Sequence, residues 1–90
     1  GYARAAIIVS DHSKAIRQAI FDELDRGVTL LEARGGYTTA SRPALYVVVS
    51  RAQITKLKYL IAQIDPNAFV VISEAHEVLG EGFRPVAEEA

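Results

Sequence analysis

Apolar residues in this chain alternate between two spacings. Residues 3–10 (ARAAIIVS) form a short apolar run with β-branched members, which predicts a strand. The spacing then becomes helical: Ile16, Ala19, Ile20 and Leu24 form one stripe, with Lys14, Arg17, Gln18, Asp22 and Asp25 mostly on the other side. Ser10-Asp11-His12-Ser13 is helix-start chemistry, with Asp11 or Ser13 as N-cap, and Gly27 is expected to end the helix. Residues 27–50 read as a strand, a polar tip containing glycine, and a second strand richer in β-branched residues, into which Pro43 can lead without costing a central ladder bond. Ser50-Arg51-Ala52-Gln53 fits the S-x-x-Q capping box, so a second helix should start within a residue or two of Ser50, with Ile54, Leu57, Ile61 and Ile64 as its stripe. Asp65-Pro66-Asn67 is a turn signal, and residues 68–73 (AFVVIS) predict a fourth strand. The folded domain is expected over residues 1–83, with 84–90 an acidic, flexible tail.

The order β-α-β-β-α-β predicts an α+β, ferredoxin-like domain: a four-stranded antiparallel sheet with both helices on one face. The other face should then alternate polar with apolar residues if water covers it. It does not. Ile7, Val9, Leu45, Val47, Val49, Val70 and Ile72 can supply one face, and the opposite set, Ile8, Tyr46, Val48, Phe69 and Val71, is nearly as apolar. Burying such a side chain is favourable by about 1.5–3 kcal/mol, so leaving the whole set wet would forgo energy comparable to the stability of a small domain. A second layer is expected over this face. It would be either the segment 78–83 or sister subunits, and a homo-oligomer, most plausibly a trimer, is the expected assembly.

Composition narrows the function. Ninety residues make one domain with an ordinary globular balance of hydrophobic and charged residues. The net charge of −1 argues against a general nucleic-acid binder, which needs a basic face to neutralise phosphates. No apolar run approaches the ~20 residues of a membrane-spanning helix. The chain has no cysteine, which excludes disulfides and thiolate metal sites and fits a reducing compartment. It also has no methionine, even at position 1, so it is expected to have been processed or, preferably, cut from something longer.

The hairpin tip is the leading candidate site. Roughly ten residues separate its two apolar runs, where two to five usually suffice, and extended tips on rigid hairpins often bind ligands. Arg34, Gly35, Gly36, Tyr37 and Thr38, with Thr39, Ser41 and Arg42 nearby, combine cationic charge, hydroxyls, close backbone approach and a ring that can stack. The plain alternative is a solvated bend, and Gly-Gly is no phosphate-loop pattern. Ser10 and Asp11 lie where a strand meets a helix N-terminus, a usual ligand position, although a simple cap explains them too. Glu74, His76 and Glu77 lack the second histidine of H-E-x-x-H, and neighbours on a strand end point to opposite faces, so no metal site is expected. Gly80-x-Gly82 lacks the third glycine and the helix of a dinucleotide fingerprint. No nucleophile has a recognisable base and no carboxylate pair stands out, so the chain is not expected to be an enzyme or to need a cofactor. The third strand, ALYVVVS, has only Tyr46 where an RNA-recognition motif of this element order would place stacking aromatics and glycine.

SDHSKAIRQAIFDELDRGVTLLEARGGYT, followed by VVSRAQITKLKYLIAQIDPNAFVVISEAHEVLGEGF, resembles the soluble C-terminal domain of YitT-type bacterial membrane proteins, domain-of-unknown-function family 2179. RGVTLLEARGGYT, SRAQITKLKYLIAQIDPNAF and HEVLGEGF are its most specific pieces. Ser13 departs from it, since related sequences often carry proline there. The resemblance implies a transmembrane region upstream, a cytoplasmic position for this domain at the cell membrane, and kinship with PII-like modules. Those form trimers and bind small effectors near the hairpin loop and subunit clefts. The expected function is therefore a regulatory sensor domain that binds a small anionic or nucleotide-like effector. The alternatives are a purely structural trimerisation module without a ligand, and an ACT-like amino-acid binder using residues 10–13.

Overall fold

The computed structural model describes residues 2–89. Strand β1 (Ala3–Val9) leads into helix α1 (Ser13–Leu24), then the hairpin of β2 (Thr29–Arg34) and β3 (Ser41–Ser50). A 3-10 turn (Arg51–Gln53) runs into helix α2 (Ile54–Ile64), strand β4 (Phe69–Ala75) follows, and a second 3-10 turn (Val86–Glu88) lies in the acidic tail. The sheet order is β2-β3-β1-β4, with each neighbouring pair antiparallel. This is the ferredoxin-like α+β arrangement that the element order predicts. Ile16, Ile20 and Leu24 of α1 and Leu57 and Ile61 of α2 pack on Ala6, Ile8, Leu45, Val47 and Val49, so both helices cover the same sheet face.

The expected facing of β1 is reversed. Ile8 lies opposite Leu45 and Val70, and Ala6 opposite Val47 and Ile72, so Ile8 belongs to the core. Ile7 lies opposite Tyr46 and Val71 on the helix-free face. A strand that is apolar on both parities does not choose its own face, because a one-residue slip exchanges equivalent surfaces. The parity adopted also brings the buried Ser10 to Asp65, where its Oγ donates a 2.5 Å hydrogen bond to Oδ2.

The ends of α1 also differ from expectation. Neither Asp11 nor Ser13 caps it. His12 is the N-cap residue without a side-chain bond, and Ser10 Oγ instead accepts the His12 N–H at 2.9 Å. At the other end Asp25, not Gly27, takes the left-handed conformation (φ 54°) and returns its N–H to the Phe21 carbonyl. The capping box at Ser50 forms as predicted. Its Gln53 reaches further than the motif requires. Oε1 accepts from both Ser50 N–H (2.9 Å) and Arg26 Nε (3.0 Å), while Nε2 donates to the Leu24 carbonyl at 3.0 Å. One amide thus ties the start of α2 to the end of α1. Gln53→Ala removes all three bonds and is expected to lower stability by about 2 kcal/mol. In a domain of this size that is a fall of roughly 8–16 °C in melting temperature by calorimetry.

Candidate functional site

The hairpin is a finger with a short closed tip. Pairing continues to Arg34 opposite Ser41, so Glu32, Arg34, Ser41 and Arg42, polar residues that look like loop, are strand. Only residues 35–40 turn, closed by Gly35 N–H to the Ala40 carbonyl (3.0 Å) and Thr39 N–H to the Gly35 carbonyl (2.9 Å). Gly35 is needed for space, because a Cβ there would meet Thr38 Oγ1 at 2.6 Å, whereas Gly36 faces open surroundings. Tyr37 is 98% exposed at the tip. The β1 ladder reaches β3 only as far as Leu45, so the stretch 41–44 projects past it with β2 alone beside it. Pro43 sits in this projecting part and interrupts no pairing with β1.

Ser10 and Asp11 lie elsewhere, in a cleft of about 240 Å³ with His12, Arg42, Asp65, Asn67 and Phe69. Asp11 forms an ion pair with Arg42, which links this cleft to the base of the finger. Ser10 is already engaged by Asp65 and by His12 N–H. Asp65 also accepts the Asn67 N–H through Oδ1 (2.9 Å), closing the predicted turn. The Ser10 hydroxyl, and after it the Asn67 N–H, hold the Asp65 carboxyl below its ordinary range. A carboxyl with a lowered folded-state pKa adds stability that is present above its unfolded pKa and fades as pH falls through the folded value. Ser10→Ala should therefore cost more stability at pH 7 than at pH 2–3, which urea titrations at the two pH values read directly. Equal losses at both would remove Asp65 from the account.

Sequence reasoning missed a larger hollow of about 630 Å³ on the helix-free side. It is bounded by the α1–β2 link, by Tyr46 and Val48 of β3, and by the tail segment 78–83. Its tail wall turns on Gly80 (φ 86°) and Gly82 (φ 89°), a left-handed path suited to glycine. A Cβ on Gly82 would also come within 2.9 Å of Arg26 Nη1. Arg26 stacks on Phe83 at 4.3 Å from the ring centroid while its Nε is bonded to Gln53. The signal available in the sequence was the Gly80-x-Gly82 pair, which fails as a nucleotide motif and serves here as a turn. Glu74 is paired with Arg4 at 3.7 Å, and among the described residues no three His, Asp or Glu side chains gather as a metal site.

Residues 26–80 match the family described as "Uncharacterized protein conserved in bacteria (DUF2179)". The chain belongs to DUF2179. The matched stretch contains the finger and most of the hollow's lining but neither Ser10 nor Asp11. An uncharacterized protein encoded in the cccA 5' region of Bacillus sp. (strain PS3) is 51% identical over 84 residues, 93% of this chain and 56% of its own length. The Bacillus subtilis UPF0750 membrane protein YvjA is 45% identical over 82 residues, 91% of this chain and 29% of its own. UPF0750 membrane protein YitT of the same organism is 28% identical over 75 residues, 83% of this chain and 27% of its own. The chain thus spans about half of the first relative and under a third of these membrane proteins. The crystal structure of a DUF2179 protein from Eubacterium ventriosum superposes with a TM-score of 0.70 at 33% identity, covering 81% of this chain and all of that one. No helix among the described residues of this DUF2179 chain is long and apolar enough to cross a membrane.

Proposed function

We propose that this DUF2179 domain is a non-catalytic regulatory module on the cytoplasmic side of a membrane protein, working as a homo-oligomer, preferably a trimer. The observation that carries the proposal is the helix-free sheet face. Ile7, Leu31, Tyr46, Phe69 and Val71 are all exposed large hydrophobics there, and the tail segment 78–83 shares a hollow with Tyr46 and Val48. Contiguous apolar surface of this kind marks an interaction site. Assembly over it leaves the finger projecting, with Arg34, Gly36, Tyr37 and Thr38 available to a small anionic or nucleotide-like effector. Ser10 and Asp11 would contribute from a neighbouring copy, Ser10 only by giving up its bond to Asp65. An effector biases the attached membrane region only if it prefers one finger arrangement over another.

A second reading, assembly without a ligand, is favoured by the self-closed tip, in which Gly35 N–H is already spent on Ala40. A thermal-shift screen of nucleotides, cyclic dinucleotides, amino acids and inorganic anions separates the two. The regulatory reading expects at least one compound to raise the melting temperature and to lose that effect in Tyr37→Ala. A panel in which nothing shifts, while sedimentation still finds an oligomer, leaves the structural reading in place.

A further inference from the structure

We infer that the finger of one copy docks into the tail-side hollow of the next, with Tyr37 entering it and Arg34 meeting the carboxylates of Asp25 and Glu81. The inference rests on the assembly proposed above and adds a second contact between its copies.

The hollow asks for a guest with a cation and an apolar body. Its interior offers Val28, Val48, Leu79 and Phe83, and its polar lining includes Asp25, Glu81 and Arg26. Arg26 is committed to Gln53 and Phe83, whereas neither Asp25 nor Glu81 has an ion-pair partner among the described residues. Arg26 keeps its own positive charge, so Asp25 and Glu81 leave a net charge of −1 over an apolar floor, with both carboxylates unpaired among the described residues. At about 630 Å³ the space falls within the range of pockets that enclose sizeable ligands. The finger carries the complement: Tyr37 stands free at the tip, and Arg34 has no ion-pair partner among the described residues.

The chain's own finger cannot be the guest. Thr29 lines the hollow and Arg34 ends the same strand. At about 3.4 Å per residue the two are roughly 17 Å apart along a paired, rigid ladder. Only another molecule's finger can arrive. Finger and hollow are different patches, so the contact is heterologous and closes into a ring when the rotation allows. The docked finger and a finger whose Arg34 is held by an anion are then two exclusive arrangements, the bistability that regulation requires.

The chain has no cysteine, so single thiols report cleanly. Thr38→Cys at the tip and Thr29→Cys at the hollow, both exposed positions, are made in separate chains, mixed and mildly oxidised. The mixed cross-link is expected to exceed either self-pair about tenfold. Arg34→Glu in the Thr38→Cys chain should abolish the excess, and Glu81→Arg in the Thr29→Cys chain should restore it. No excess in a sample that sedimentation shows to be oligomeric overturns the finger contact and leaves the assembly standing. A sample that is monomeric at high micromolar concentration overturns both. An excess that Arg34→Glu leaves unchanged overturns the pairing with Asp25 and Glu81.

Discussion

Ile8→Ala is expected to destabilise the chain by about 2–5 kcal/mol, while Ile7→Ala, one residue earlier, costs less than about 1 kcal/mol in the dissociated chain. The contrast follows from the parity of β1. Ile8 is 0% exposed between Leu45 and Val70 beneath the helices, so truncation leaves a cavity whose lining cannot fully collapse. Ile7 is 38% exposed on the helix-free face, where water or a partner fills the space. Urea denaturation at low protein concentration reads both, with an unchanged m-value showing that two-state unfolding persists. A larger loss at Ile7 than at Ile8 would mean that the strand is seated one residue out of register. The Ile7 loss should also grow with protein concentration, because its face is the proposed interface.

That parity marks a limit of reading this chain from its letters. The element order was legible because both helices carry a 3.6-residue stripe and because Ser50 and Gln53 announce a local motif that tertiary contacts only extend. The facing of β1 was not, since Ala-Ile-Ile-Val is equally greasy on both sides and the choice is made by β3 and β4. The finger's true length was hidden for the opposite reason. Both sides of a projecting hairpin are wet, so Glu32, Arg34 and Arg42 can be strand residues without an apolar neighbour to reveal it. Gly27 drew the helix end two residues too far because glycine is the usual left-handed residue, and here Asp25 takes that conformation. The candidate sites divide in the same way. Ser10 and Asp11 follow from strand-to-helix chemistry within four residues. The hollow depends on Arg26 meeting Gly82 and Phe83, more than fifty positions later, and no local pattern encodes that meeting.

Val71→Asp is expected to weaken the proposed self-association by at least about a hundredfold while leaving the monomer folded, read by sedimentation equilibrium across a concentration series. Val71 is 46% exposed and its neighbour Phe69 65%, on a strand joined to β1 by an antiparallel backbone ladder that a side-chain change at Val71 leaves in place. An aspartate there can remain hydrated in the monomer, so the substitution should change melting temperature little at low concentration. In the assembly the same carboxylate would have to be buried without a partner, a penalty of several kcal/mol on top of the lost valine contact. Since about 1.4 kcal/mol is a factor of ten, a hundredfold loss is the lower bound. Lys56→Asp on the helical side makes a larger charge change, two units against one, away from the sheet and should leave association intact; its own pairing is with Glu23 at 4.0 Å, an exposed contact worth little. If Val71→Asp and Lys56→Asp sediment alike, the helix-free face is not what holds copies together, and the apolar set on β1, β3 and β4 would have to meet something other than a second copy.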